Sequence, residues 1–180
     1  AGSVRLGAVV ERVGHREVVL AAGETVRGRA VVVATEGPVA ARLLGDDVPD
    51  PGSNGSTTLY YAADTAPTTE PVLMLDGDGC GPVNSVVVMS NAAPACAPPG
   101  KALVSASVVG APAEDDAALD RRARTQLREW YGSAVDGWRL LRIYRIPHSL
   151  PDQTAGRLDP WQRPVRLRPG LYVCGDHRDN

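Results

Sequence analysis

The chain has 180 residues, 43% hydrophobic and 22% charged, an ordinary composition for one folded domain or two small ones. Nineteen basic residues against 21 acidic ones leave a formal charge of −2, which argues against nucleic-acid binding through bulk charge. The Val-rich runs are too apolar for disorder, no apolar run reaches the roughly 20 residues of a membrane-spanning helix, and residues 1–20 carry Arg and Glu where a signal peptide would be apolar.

In chain order, VRLGAVV (4–10) reads as a short strand, and REVVLAAGETVRG (16–28) as a hairpin turning around Ala22-Gly23. RAVVVAT (29–35) is apolar throughout, as expected of a strand covered on both faces in a parallel sheet. It feeds a short helix, PVAARLL, with Pro38 suited to the first helical position and Gly45 to the stop. Turn-formers fill DDVPDPGSNGS (46–56) and mark a domain crossing. TTLYYAAD (57–64), PVLML (71–75), VNSVVVMSN (83–91) and ALVSASVVG (102–110) follow as four strands separated by Pro, Gly and Asp turns.

Residues 114–132 form the clearest amphipathic helix, with Leu119, Ala123, Leu127, Trp130 and Tyr131 on one face, acidic residues at its start and Gly132 at its end. WRLLRIYRI (138–146) is a further strand closed by Pro147, and LYVCG (171–175) a last short one. The fold class expected is α+β: a mixed or antiparallel sheet of five or more strands packed on one amphipathic helix, plus a partial Rossmann-like unit. Strands 29–35 and 171–175 are expected to be parallel neighbours, because both are short, apolar and edged by Gly.

The two ends carry a resemblance. ATEGPVAARLL, PPGKALVSASVVG, YRIPHSLPDQ and LYVCGDHRD, in that order, resemble the C-terminal two-thirds of the flavin-containing amine oxidase superfamily, which also holds protoporphyrinogen oxidases and carotenoid desaturases. The resemblance implies an FAD-dependent oxidoreductase that oxidises or desaturates a hydrophobic or amine small molecule by hydride transfer. It further implies a partial FAD-binding domain over residues 1–50 and 165–180 and a substrate-binding domain over 51–164. The same resemblance places Val10 by the adenine, Ala34 and Thr35 by the nucleotide half, and Gly175 and Asp176 by the pyrophosphate and ribityl chain.

Residue chemistry leaves other readings open for each. Val10 also reads as an interior strand residue, Thr35 as a strand-end cap, and Asp176 as a helix N-cap. A glycine lets backbone approach a phosphate, and a carboxylate accepts hydrogen bonds from sugar hydroxyls. The family's substrate cavity maps onto Tyr144, Arg145 and His148, whose ordinary readings are a core aromatic, a solvated or paired strand residue, and a loop residue, the last being the favoured reading of His148. Of Tyr60 and Tyr61, alternation turns one inward.

Two family segments are not found in the 180 residues: Gly-x-Gly-x-x-Gly, which cradles the pyrophosphate on a helix start, and the small-residue segment expected after Asp179-Asn180. The expectation is therefore a fragment of a longer enzyme that would not by itself hold FAD. Cys80, Cys96 and Cys174 form no CxxC, and His15, His148 and His177 lie far apart, so a reduced, cytoplasmic, metal-free chain is expected. Its partner would be a small-molecule substrate, not nucleic acid, with the oligomeric state open. A Cys174–His177 nucleophile pair is disfavoured because sequence neighbours rarely meet as a dyad and a strand-buried Cys is inert. The competing function is a non-enzymatic β-rich ligand-binding or interaction module.

Overall fold

In the computed structural model, which describes residues 2–157 and 159–178, the chain divides into two units. One comprises the residues up to Asn54 together with those from Leu150; the other is Gly55–Ser149. Residues 150–164, which sequence reading joins to the middle domain, group with the chain ends instead. Loop backbone ties them there, as in the bond from Asp152 N–H to Gly52 O. Asp179 and Asn180, the last positions of the C-terminal motif, lie outside the described residues.

The first unit opens with a ribbon of β1 (Val10–Gly14), β2 (Glu17–Leu20) and β3 (Thr25–Arg27), all antiparallel. The first strand is displaced from residues 4–10 because its pairing is set by a tight turn at His15-Arg16, where Gly14 meets Glu17. Val4 and Leu6 stay exposed and Gly7 takes a positive φ, so the preceding residues turn instead of pairing.

A second small sheet follows, built from β4 (Val31–Val33), β10 (Arg166–Arg168) and β11 (Leu171–Val173). Its order is β10-β11-β4, and β11 runs parallel to β4 with Leu171, Tyr172 and Val173 opposite Val31, Val32 and Val33. The expected parallel neighbours are therefore neighbours. Val33, Leu171 and Val173 pack on Ala40 and Leu44 of α1 (Gly37–Leu44) and on Val48. Val32 is 58% exposed, so β4 is covered on one face only: α1 supplies the core on that side, and the pleat sends Val32 to the other. Pro38 sits in the first turn of α1 and Gly45 ends it at φ 59°.

The second unit is a five-stranded sheet of β5 (Ser53–Ala63), β6 (Leu73–Leu75), β7 (Ser85–Val88), β8 (Ala102–Val109) and β9 (Arg139–Pro151), in the order β6-β7-β8-β5-β9. The pairs β5–β8, β6–β7 and β7–β8 are antiparallel. Strand 83–91 is shorter than expected, because Met89–Ala92 turn into the short helix α2. Pro147 does not close β9. The strand lies at the edge of the sheet, where a proline's missing N–H leaves no ladder bond unmade, and it continues to Pro151.

Alternation sets the core of this unit. Leu59, Tyr61 and Ala63 of β5, with Val104, Ala106 and Val108 of β8, face Leu119, Ala123 and Leu127 of α3 (Asp116–Tyr131). Each such leucine contributes roughly 1.5–3 kcal/mol of burial. Asp115 caps α3 by accepting from the Ala118 N–H at 2.7 Å, and Gly132 ends it at φ 62°. The expected acidic cluster thus divides its work, with Asp115 as cap and Glu114 pairing with Arg122 at 2.6 Å. With phenylalanine absent, Trp138 fills the aromatic role, 5.7 Å from both Tyr61 and Tyr131. No helix among the described residues is long and apolar enough to cross a membrane.

Candidate functional site

The parallel pair β4–β11 presents the carboxyl ends of two adjacent strands, the end of a parallel sheet where ligands characteristically bind. The Cys174 N–H bonds Val33 O at 2.9 Å, which carries the pairing to the point where both chains leave the sheet. Ala34 and Thr35 follow β4 there, and Gly175 and Asp176 follow β11. A Cβ on Gly175 would stand 3.5 Å from Thr35 O, so the structure brings these two segments together.

Each candidate in this corner has a definite environment. Ala34 is exposed, and Thr35 is half-buried with its Oγ1 fully covered and without a hydrogen-bond partner. Gly175 has φ 147°, outside the range of ordinary L residues. Its imagined Cβ would lie 2.8 Å from both Cε1 and Nδ1 of the His177 ring, so packing and conformation both demand glycine. Asp176 keeps its carboxylate in solvent and opens no helix among the described residues. The segment closes as a turn, with the Arg178 N–H on Gly175 O at 3.1 Å.

Val10 begins β1 opposite Leu20, next to an irregularity in register, and its described pairing lies within the ribbon. Cys174 is exposed, contrary to the buried strand position expected, because β11 ends at Val173 and the following residue leaves the sheet. Cys80 and Cys96 are also free and exposed.

Sequence reasoning weighed His177 only as a partner for Cys174 and passed over Arg178, and these are the two most buried polar residues of this corner. His177 and Arg178 are 2% and 5% exposed. Burial, reinforced by the neighbouring Arg178 charge, pushes the His177 pKa below the ordinary histidine value, which keeps the ring neutral near pH 7. The only available signal was a histidine directly after Gly-Asp at a strand end.

The second set of candidates lies on β9. Tyr144 is 47% exposed, its ring edge-on to Tyr60 at 5.9 Å with the Arg142 guanidinium 5.0 Å above it. Tyr60 faces away from α3, while Tyr61 is the inward one, donating from its hydroxyl to Asp120 at 2.8 Å. Burial, then that hydrogen bond, raise the Tyr61 pKa well above the usual phenol range. Register places Thr58 and Tyr60 of β5 beside Ser107 and Ser105 of β8, so Tyr144 belongs to the sheet face opposite the helix.

Arg145 points the other way. It donates to Pro112 O at 2.7 Å and Glu114 O at 3.0 Å and pairs with Asp116 at 2.8 Å, which fastens β9 to the start of α3. His148 is exposed near the end of β9.

The cofactor that the sequence resemblance implies is a dinucleotide, and the strand-end corner fits part of one. A covered hydroxyl lacking a partner at Thr35, an exposed carboxylate at Asp176 and a glycine turn between them are suited to sugar hydroxyls and a phosphate.

Among solved structures, the fold is similar to an oxidoreductase from Methanosarcina mazei, at 15% identity and a TM-score of 0.61, with 95% of this chain and 43% of that one covered. It is similar to reduced UDP-galactopyranose mutase at 15% identity and a TM-score of 0.61, covering 84% of this chain and 36% of that one. Cyclohexylamine oxidase from Brevibacterium oxydans matches at 13% identity and a TM-score of 0.59, covering 93% and 42%. At these identities the likeness is one of fold, and the chain spans less than half the length of each of these structures. No curated protein matches the sequence. The model of the family described as flavin containing amine oxidoreductase matches residues 1–180, and with the paired strand ends and their glycine turn in place, the chain belongs to that family.

Proposed function

We propose that the chain is the substrate-covering part, joined to part of the FAD-binding domain, of an FAD-dependent oxidoreductase acting on a hydrophobic or amine small molecule. The observation that carries this reading is the family match along the whole chain. Support from the coordinates comes from the parallel pair β4–β11, whose outgoing turns juxtapose Thr35 and Gly175. In this reading residues 1–50 and 165–180 belong to a Rossmann-like FAD-binding domain and residues 51–149 to a substrate-binding domain, with residues 150–164 grouping with the chain ends. The three exposed free thiols fit a reducing cytoplasm.

When bound, FAD would supply the hydride-accepting chemistry; the protein supplies position and electrostatics. Thr35 offers its covered hydroxyl, Asp176 accepts from sugar hydroxyls, and Gly175 lets backbone come close to a phosphate, with Ala34 beside them and a backbone contact at Val10 on the adenine side. Substrate would be met by the open sheet face, where Tyr60 and Tyr144 present apolar rings and His148 a polar group. Arg145, its donors engaged by Pro112, Glu114 and Asp116, serves this face as a brace for β9.

The test is to express the reading frame containing these residues with its natural flanking sequence, measure bound flavin by visible absorbance, and follow anaerobic bleaching with a panel of amines and apolar alkenes or alcohols. Bound FAD bleached by one of these classes is the expected result. A colourless protein that instead captures an apolar ligand would favour the β-rich binding module.

A further inference from the structure

The turn after β11 has a second side. His177 and Arg178, with Arg157, Arg163 and the loop at Pro49–Pro51, line a cavity of about 270 Å³ within the unit formed by the chain ends. His177 is almost wholly buried, yet neither Nδ1 nor Nε2 has a hydrogen-bond partner. Arg178 donates from Nη2 to Pro164 O at 2.6 Å, while its covered Nε has no partner. Arg163 donates to His177 O at 3.2 Å and to Arg157 O at 2.7 Å.

His177 Nδ1 lies 3.9 Å from the exposed carboxylate of Asp176. Among the described residues no carboxylate forms an ion pair with Arg163 or Arg178; Arg157 reaches Asp152 at 3.6 Å. Asp50 and Asp159 also line the wall, and Asp50 Oδ1 already accepts from the Gly52 N–H at 2.9 Å. Burial and the Arg163 charge together lower the Arg178 pKa, as two cations held near one another must. A buried guanidinium Nε and a buried imidazole, both without hydrogen-bond partners, are costly unless a compensating group arrives.

We propose that Arg163, Arg178 and His177 form a binding site for a phosphate-class oxyanion. Guanidinium forks pair with phosphate oxygens, and a neutral imidazole adds one N–H donor and one acceptor. The cavity, about 270 Å³, has room for a diphosphate. The oxyanion is either free or the phosphate end of a nucleotide, and the site stands whether or not the flavin reading holds.

The experiment is calorimetric titration of the 180-residue chain at low salt with inorganic pyrophosphate, then with ADP. Saturable one-site binding is expected for pyrophosphate, weakened about tenfold or more by Arg163→Met. Arg168→Met should leave it unchanged, because Arg168 pairs with Asp47 and neither lines the cavity. Arg163→Lys, which keeps the charge without the fork, should fall between, and it replaces Arg163→Met if that variant melts early. Tighter binding of ADP than pyrophosphate supports the site and identifies a nucleotide; equal or weaker binding supports it and identifies the free anion. No saturable binding up to about 10 mM, or equal binding by the Arg163→Met and Arg168→Met variants, overturns the proposal.

Discussion

Gly175→Ala separates what the fold demands of this glycine from what a ligand would demand. The backbone there has φ 147°, a region that costs about 1–3 kcal/mol for a residue bearing Cβ. The added methyl would also meet Cε1 and Nδ1 of His177 at 2.8 Å. That ring is the wrong kind of neighbour to yield, since its side chain is 1% exposed and cannot swing into solvent. Overpacking of this kind adds about 1–3 kcal/mol, so a total loss of about 2–6 kcal/mol is expected without any ligand present. The assay is urea unfolding of the 180-residue chain followed by circular dichroism, for the wild type, Gly175→Ala, His177→Ala and the double variant. Removing the ring should abolish the steric part and leave the backbone part, so the two substitutions should couple by about 1–3 kcal/mol. A loss below about 0.5 kcal/mol would refute the reasoning altogether. An equal loss with and without the His177 ring would refute the steric half.

Four further outcomes are expected. Gln126→Leu should cost about 2–5 kcal/mol in the same assay, because Gln126 both accepts from the buried Val83 N–H and donates to Val83 O, each at 2.8 Å, and leucine leaves both unpaired. Arg145→Met should lower stability by about 1–3 kcal/mol through the freed carbonyls of Pro112 and Glu114, and Arg145→Lys should restore part of it. His177 has its pKa depressed from 6.5 by burial, so the unfolded chain takes the proton first; the stabilisation is complete above about pH 6.5 and is lost as pH falls below it, and His177→Asn should flatten that part of a stability-versus-pH curve. Finally, the 180-residue chain by itself should bind FAD no better than millimolar by titration, since a few contacts of about 1–2 kcal/mol each scarcely offset the cost of association.

Several strong features of this protein were already local properties of its sequence. The run TTLYYAAD identified a strand with two alternating faces, because the side-chain period of a strand is two, though not which of Tyr60 and Tyr61 faces the core. Helix α3 announced itself through Leu119, Ala123 and Leu127, with the acids Glu114, Asp115 and Asp116 at its start and Gly132 at its end. The parallel pairing of β4 with β11 followed from two short apolar runs edged by glycine, and the family from four segments in order.

Other features depend on partners far apart in sequence, which no local pattern records. Pro147 reads as a stop until the sheet order puts its strand at an edge. Arg145 reads as a cavity residue until Asp116, 29 positions away, turns out to hold it. The Val31–Val33 run looks doubly covered, yet α1 lies on one face and leaves Val32 in the open. Most of all, nothing in Gly-Asp-His-Arg indicates that the imidazole will be buried without a partner beside Arg163 and Arg178. Burial and hydrogen-bond satisfaction are settled only when distant loops close over a residue. The sequence therefore determined the elements and the family, and tertiary packing alone decided which polar groups were left to seek a ligand.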